Sequence, residues 1–176
     1  MTAPPAIAGH DCFRAVLSAL AHPGRPFAPD GASDATGRLA ALVGALYEPD
    51  TPIWWDAPWE LPWPPRRVSI EQAQVLLVHG AASGGALTRA PRGSEEHPSH
   101  GATVVYASSQ PIAVEVQLRG PGVDGALGTS LALTTAELSD RATACARRPL
   151  GIDLLLIDAE GWIIGLPRST RVEVIG

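Results

Sequence analysis

Gly151-Ile152-Asp153-Leu154-Leu155-Leu156-Ile157-Asp158-Ala159-Glu160-Gly161-Trp162-Ile163-Ile164-Gly165-Leu166 is the stretch whose reading settles the fold class of this chain. Ile152 to Ile157 is its most apolar run, of a length that suits a buried strand. Asp158 to Gly161 has hairpin-turn chemistry, and Trp162 to Leu166 supplies the returning partner. Upstream, Val75-Leu76-Leu77-Val78, Thr103-Val104-Val105-Tyr106 and Ala113 to Leu118 read as further strands, the last with period-two alternation. Thr51 to Trp55 is extended, because a residue before proline disfavours the helical region, and Arg168 to Ile175 is predicted as the final strand.

Three helices complete the pattern. Asp11 caps the first, which runs to Ala21 and places Phe13, Val16, Leu17 and Leu20 at helical spacing. Ser33 or Asp34 opens the second, with Leu39, Leu42, Val43 and Leu46 on one stripe. The third starts at Thr134 or Thr135 and continues to about Arg147, with Leu138, Ala142 and Cys145 inward and two arginines in its last turn. Asp56 to Pro65 and Gly80 to Pro98 read as irregular. Helices early and late with five or six strands between predict a single domain over residues 1–176, an α/β sandwich with a mixed sheet covered by helices.

Composition narrows the function classes. A length of 176 residues suits one domain, since single cores stop growing only above about 250. Hydrophobic residues are 45% of the chain and charged ones 18%, against a usual charged share of about 25%, which excludes disorder and a charged coiled coil. All 13 basic residues are arginine, and 18 acidic ones give a net charge of −5. The arginines form no basic stripe, so a nucleic-acid partner is not expected. No run approaches the roughly 18 apolar residues of a membrane helix, and the start Met1-Thr2-Ala3-Pro4-Pro5 carries no basic signal region. A cytoplasmic protein without a membrane partner is the expectation. Cys12 and Cys145 are too few for a disulfide framework and read as small core residues.

The absence of lysine removes whole mechanisms. Without an amine there is no internal Schiff base and no P-loop lysine, which excludes pyridoxal phosphate catalysis, a lysine-dependent aldolase and an ordinary P-loop ATPase. Gly120-Pro121-Gly122-Val123-Asp124-Gly125 satisfies G-x-G-x-x-G, but no helix opens directly after it, so it reads as a glycine turn. His97 and His100 flank Pro98 and have no third ligand nearby, and Glu95-Glu96 lies in the same polar segment. No catalytic residue, metal site or cofactor is therefore nominated. Trp54, Trp55, Trp59 and Trp63 fall within ten proline-rich residues and are a candidate partner or subunit interface, since tryptophan is enriched at binding hot spots.

Arg148-Pro149-Leu150-Gly151-Ile152-Asp153-Leu154, followed by Leu166-Pro167-Arg168-Ser169-Thr170-Arg171-Val172-Glu173-Val174, resembles the PhnH family of the phosphonate carbon–phosphorus lyase system. Phe13-Arg14, Pro23-Gly24, Asp50-Thr51-Pro52-Ile53-Trp54, Gly101-Ala102-Thr103 and Gly120-Pro121-Gly122 agree in order. The resemblance implies a three-layer α/β/α sandwich like a reduced pyridoxal phosphate transferase fold without its cofactor site. It also implies a homodimer that docks with the other core subunits, G, I and J, where ATP and methylphosphonate react with release of adenine. Read physically, Asp153 inside so apolar a strand requires a partner, and Arg168 is the predicted one. Arg168, Arg171 and the amides near Gly120 and Gly122 are alternatively placed to hold a phosphate or phosphonate oxygen. The leading expectation is a non-catalytic subunit. The alternative is a module binding ATP or a phosphonate in an arginine-lined pocket at a dimer interface.

Overall fold

The computed structural model describes residues 6–28, 35–56, 64–79, 85–108, 113–158 and 160–175. Its helices are α1 (Ala6–Ala21), α2 (Ala35–Leu46), α3 (Ala86–Arg89) and α4 (Thr135–Ala144). Its strands are β1 (Pro26–Phe27), β2 (Pro52–Trp55), β3 (Arg66–Arg67), β4 (Val75–His79), β5 (Thr103–Ala107), β6 (Val114–Arg119), β7 (Leu127–Leu131), β8 (Asp153–Ile157), β9 (Ile163–Leu166) and β10 (Arg171–Val174).

Seven strands make one mixed sheet in the order β1-β9-β8-β5-β4-β2-β3. The apolar runs of β4, β5 and β8 lie side by side in parallel, with Leu77, Val105 and Leu155 in register. Unbroken apolar runs suit this position, because a parallel strand in such a sheet is covered on both faces. The predicted hairpin is present, β9 returning antiparallel along β8. Each face of the sheet has its own core. On one side Val75, Leu77, Val105, Leu155 and Ile157 meet Cys12, Val16 and Ala19 of α1 and Leu42 and Val43 of α2. On the other, Leu76, Val78, Val104, Leu154 and Leu156 meet Leu87 of α3, Leu138 of α4, and Val116, Leu118 and Leu131 of a second sheet. The mixed α/β class is as expected, but the third layer is not purely helical. A three-stranded antiparallel sheet, β10-β6-β7, shares it with α3 and α4.

Several local expectations shift. α1 begins at Ala6, so Asp11 lies inside the helix instead of capping it. Its buried face is Cys12, Ala15, Val16 and Ala19, while Phe13 and Leu17 are exposed. The cause is close approach to β9: a Cβ on Gly165 would lie 2.5 Å from the carbonyl of Ala19. A helix set so near the sheet admits small side chains beneath it and turns the large ones outward. The proposed caps Ser33 and Asp34 and the side chain of Leu39 lie outside the described residues. α4 has the full capping box, Thr134 accepting from the Glu137 amide while Glu137 accepts from that of Thr134. It ends at Ala144, before Arg147 and Arg148, and it buries Glu137, Leu138, Arg141 and Ala144 while Ala142 faces solvent. Ala86–Arg89, read as irregular, is a helical turn that buries Leu87. β7 escapes the sequence reading because only alternate residues of Leu127–Leu131 turn inward and glycine and serine fill the others.

Gly165→Ala is expected to destabilise the fold by about 1–3 kcal/mol through overpacking, seen as a lower urea midpoint. An unchanged midpoint would mean that α1 and β9 are farther apart than described.

Candidate functional site

Asp153 opens β8 at the register position of Thr103. Its carboxylate receives the backbone N–H of Arg168 at 2.8 Å, the guanidinium Nε at 3.1 and 3.2 Å, and Nη2 at 2.5 Å. Arg168 extends further, donating from Nη1 to the Pro98 carbonyl at 2.6 Å and from Nη2 to the Gly101 carbonyl at 3.4 Å. All three guanidinium nitrogens thus donate to protein oxygens. Two glycines make room for it, since a Cβ on Gly101 would strike the guanidinium and one on Gly151 would lie 3.1 Å from the Arg168 Cβ. The segment carrying His97 and His100 is held by the same arginine, through Pro98. There a 3₁₀ turn over Pro98–His100 brings the two imidazoles into a stack, 4.9 Å between centroids. The two rings meet because residues i and i+3 eclipse in this geometry. Among the described residues no group of three His, Cys, Asp or Glu side chains could hold a metal.

The other predicted site residues are not gathered round that pair. Gly120 and Gly122 sit in the turn from β6 towards β7. A Cβ on Gly120 would lie 3.0 Å from the Ser169 carbonyl, and one on Gly122 would strike that of Ala21. Arg171 begins β10, exposed and directly opposite Arg119 on β6. It lines a separate cavity of about 260 Å³ between α4 and β10, together with Arg141, Arg148, Thr170, Glu173 and Cys145.

Arg141 is the residue the sequence reading missed. It is 2% exposed, and its Nη1 and Nη2 reach only carbonyl oxygens, of Thr170 at 3.3 Å, Leu166 at 3.2 Å and Pro167 at 2.7 Å. Its Nε and the Thr170 hydroxyl are buried with no hydrogen-bond partner among the described residues. Burial pulls the Arg141 pKa below the usual arginine value; Cys145 and Asp153 oppose this, and Arg148 adds to the lowering. A signal existed in the sequence, since Arg141 falls three residues from both Leu138 and Ala144 on the buried stripe of α4. Nearby, the buried Glu137 accepts the Tyr106 hydroxyl at 2.6 Å and so ties α4 to β5.

The carboxyl ends of β2, β4, β5 and β8 share one edge of the sheet, where parallel α/β folds usually bind ligands. Here Asp56 and Asp158 use their carboxylates as backbone caps, Asp56 for the His79 amide and Asp158 for those of Glu160 and Trp162.

The family model described as bacterial phosphonate metabolism protein (PhnH) matches residues 3–173. The chain belongs to the PhnH family. It therefore has a role in bacterial phosphonate metabolism. No curated protein matches the chain. The segments quoted for the PhnH resemblance, at Gly101, Gly151, Asp153 and Arg168, are those that build the clamp around the Arg168 guanidinium.

The tryptophans divide. Trp54 and Trp55 are half-buried in β2 and pack against opposite cores, and the Arg67 guanidinium stands 4.4 Å from the centroid of the Trp55 ring. Trp59 and Trp63 lie outside the described residues.

Arg168→Ala in this PhnH protein is expected to lower stability by about 2–4 kcal/mol, because it strands the Asp153 carboxylate. The double variant Asp153→Asn/Arg168→Ala should lose less than the two single losses summed, and additive losses in a denaturation cycle would refute the coupling. Tyr47 and Tyr106 are the chain's two tyrosines, and burial raises the pKa of both; for Tyr106 the bond to Glu137 adds to it. The unfolded chain releases these protons near pH 10 and the folded one holds them, so their contribution is intact below about pH 10 and lost as pH rises further. At least one tyrosine, the buried Tyr106, should thus ionise only as the circular dichroism of the fold collapses. Ionisation of both within a native spectrum would contradict its burial.

Proposed function

We propose that this chain is an auxiliary, non-catalytic subunit of the carbon–phosphorus lyase core complex. In this reading it serves the step in which the ribose triphosphate of ATP passes to methylphosphonate with release of adenine, as a homodimer docked with subunits G, I and J. The observation that carries the reading is the family match over residues 3–173.

Two features support it. The central charged pair of the family segments is turned inward: Arg168 donates to Asp153, Pro98 and Gly101, and Gly120 and Gly122 are packed against backbone. The outer face of α1 carries Phe13 and Leu17 one turn apart, 41% and 50% exposed, and apolar surface of this kind suits contact with a companion chain.

Affinity purification of the tagged chain from cells growing on a phosphonate as sole phosphorus source is expected to bring down subunits G, I and J. Phe13→Glu/Leu17→Glu, both at exposed positions, should retain the circular dichroism of the fold and lose those companions. Turnover of ATP and methylphosphonate by the purified chain alone would overturn the auxiliary role.

A further inference from the structure

We propose that the cavity between α4 and β10 is a binding site for a tetrahedral phosphoryl or phosphonyl dianion, held by Arg148 and Arg171 at its mouth and by Arg141 and Thr170 at its base. The inference is independent of docking with other subunits and takes from the family only its role in phosphonate metabolism.

The charge around the cavity is unbalanced. Three arginines line it against the single acid Glu173. None of Arg141, Arg148 and Arg171 forms an ion pair among the described residues, whose salt bridges involve other side chains. For Arg141 this is costly. A buried guanidinium is ordinarily matched by a carboxylate, yet here its hydrogen bonds go only to carbonyl oxygens, its Nε is unused, and Asp153, which attracts it through space, is bonded to Arg168. Arg171 adds to the excess, since like charges placed directly across a ladder repel and it faces Arg119 across β10 and β6. An anion in the cavity would relieve both defects.

The available donors fit a tetrahedral oxyanion. Planar guanidinium groups match two oxygens of such a group at once, and the Thr170 hydroxyl is a neutral donor without a present partner. Size limits the ligand. At about 260 Å³ the space falls below the roughly 300 Å³ at which pockets for drug-sized molecules begin. It suits a phosphate or methylphosphonate headgroup, and any nucleoside attached to it would lie outside. Arg168, named with Arg171 from the sequence, is excluded from this role because its charge is already matched by Asp153 and it does not line the cavity.

The test is calorimetric titration of the full chain with inorganic phosphate, methylphosphonate and ATP separately, at ionic strength matched with sodium chloride. At least one probe should bind at a single saturable site. Arg148→Ala/Arg171→Ala, which removes only solvent-reachable side chains, should weaken it at least about tenfold, the scale of one lost charge-assisted hydrogen bond. Arg141→Gln should weaken it further, and should it fail to fold, the double variant still decides. Binding of phosphate and methylphosphonate assigns the site to a free anion, and binding of ATP alone assigns it to a nucleotide phosphate. Absence of saturable binding by all three probes, or equal affinity in the double variant, would overturn the proposal. Neither result bears on whether the chain copurifies with lyase subunits.

Discussion

The carboxylate of Asp153 and the guanidinium of Arg168 fix the geometry on which the rest of this fold depends. One charged contact joins the first residue of the inner strand β8 to the turn between β9 and β10 and to the segment preceding β5. The segment preceding β5 is some 70 residues away in sequence, and the turn leads from the large sheet into the small one. The hydrophobic effect drives the layers together but does not orient them, whereas four hydrogen-bond acceptors around one planar cation do. Gly101 and Gly151 then read as consequences: each lacks a side chain because the guanidinium or the Arg168 stem occupies that space.

The sequence was most legible where a single physical signal dominated. The runs Val75 to Val78 and Ile152 to Ile157 are apolar but for Asp153 in the second, so their burial in the middle of a sheet followed directly. The acid within the second run demanded a cation, and the pairing with Arg168 was visible from the cost of leaving it alone. At the candidate anion site Arg171 was legible, as an arginine within a recognisable block. Arg141 was not, since helical spacing from Leu138 suits Ala142 and Cys145 as well as Arg141 and Ala144, and hydrophobicity favours the first pair.

Where signals competed, tertiary packing decided. The outward turn of Phe13 and Leu17 contradicts hydrophobicity ranking, and it is explained by the proximity of α1 to Gly165. No feature of α1 alone reports that distance, because it is set by a residue about 150 positions away. β7 was similarly silent: Leu127-Gly128-Thr129-Ser130-Leu131 has little strand propensity of its own and takes its form from the ladder offered by β6. The second sheet was missed with it, and so was the composition of the third layer.

The outermost strands of the large sheet, β1 and β3, are two residues each, the first beginning with Pro26 and the second consisting of Arg66 and Arg67. Exposed sheet margins invite another polypeptide to add itself by main-chain pairing, and short margins bearing proline or like charges discourage it. A chain with so hydrophobic a set of inner strands is thereby guarded against fibril-like stacking while its other surfaces stay open to companions.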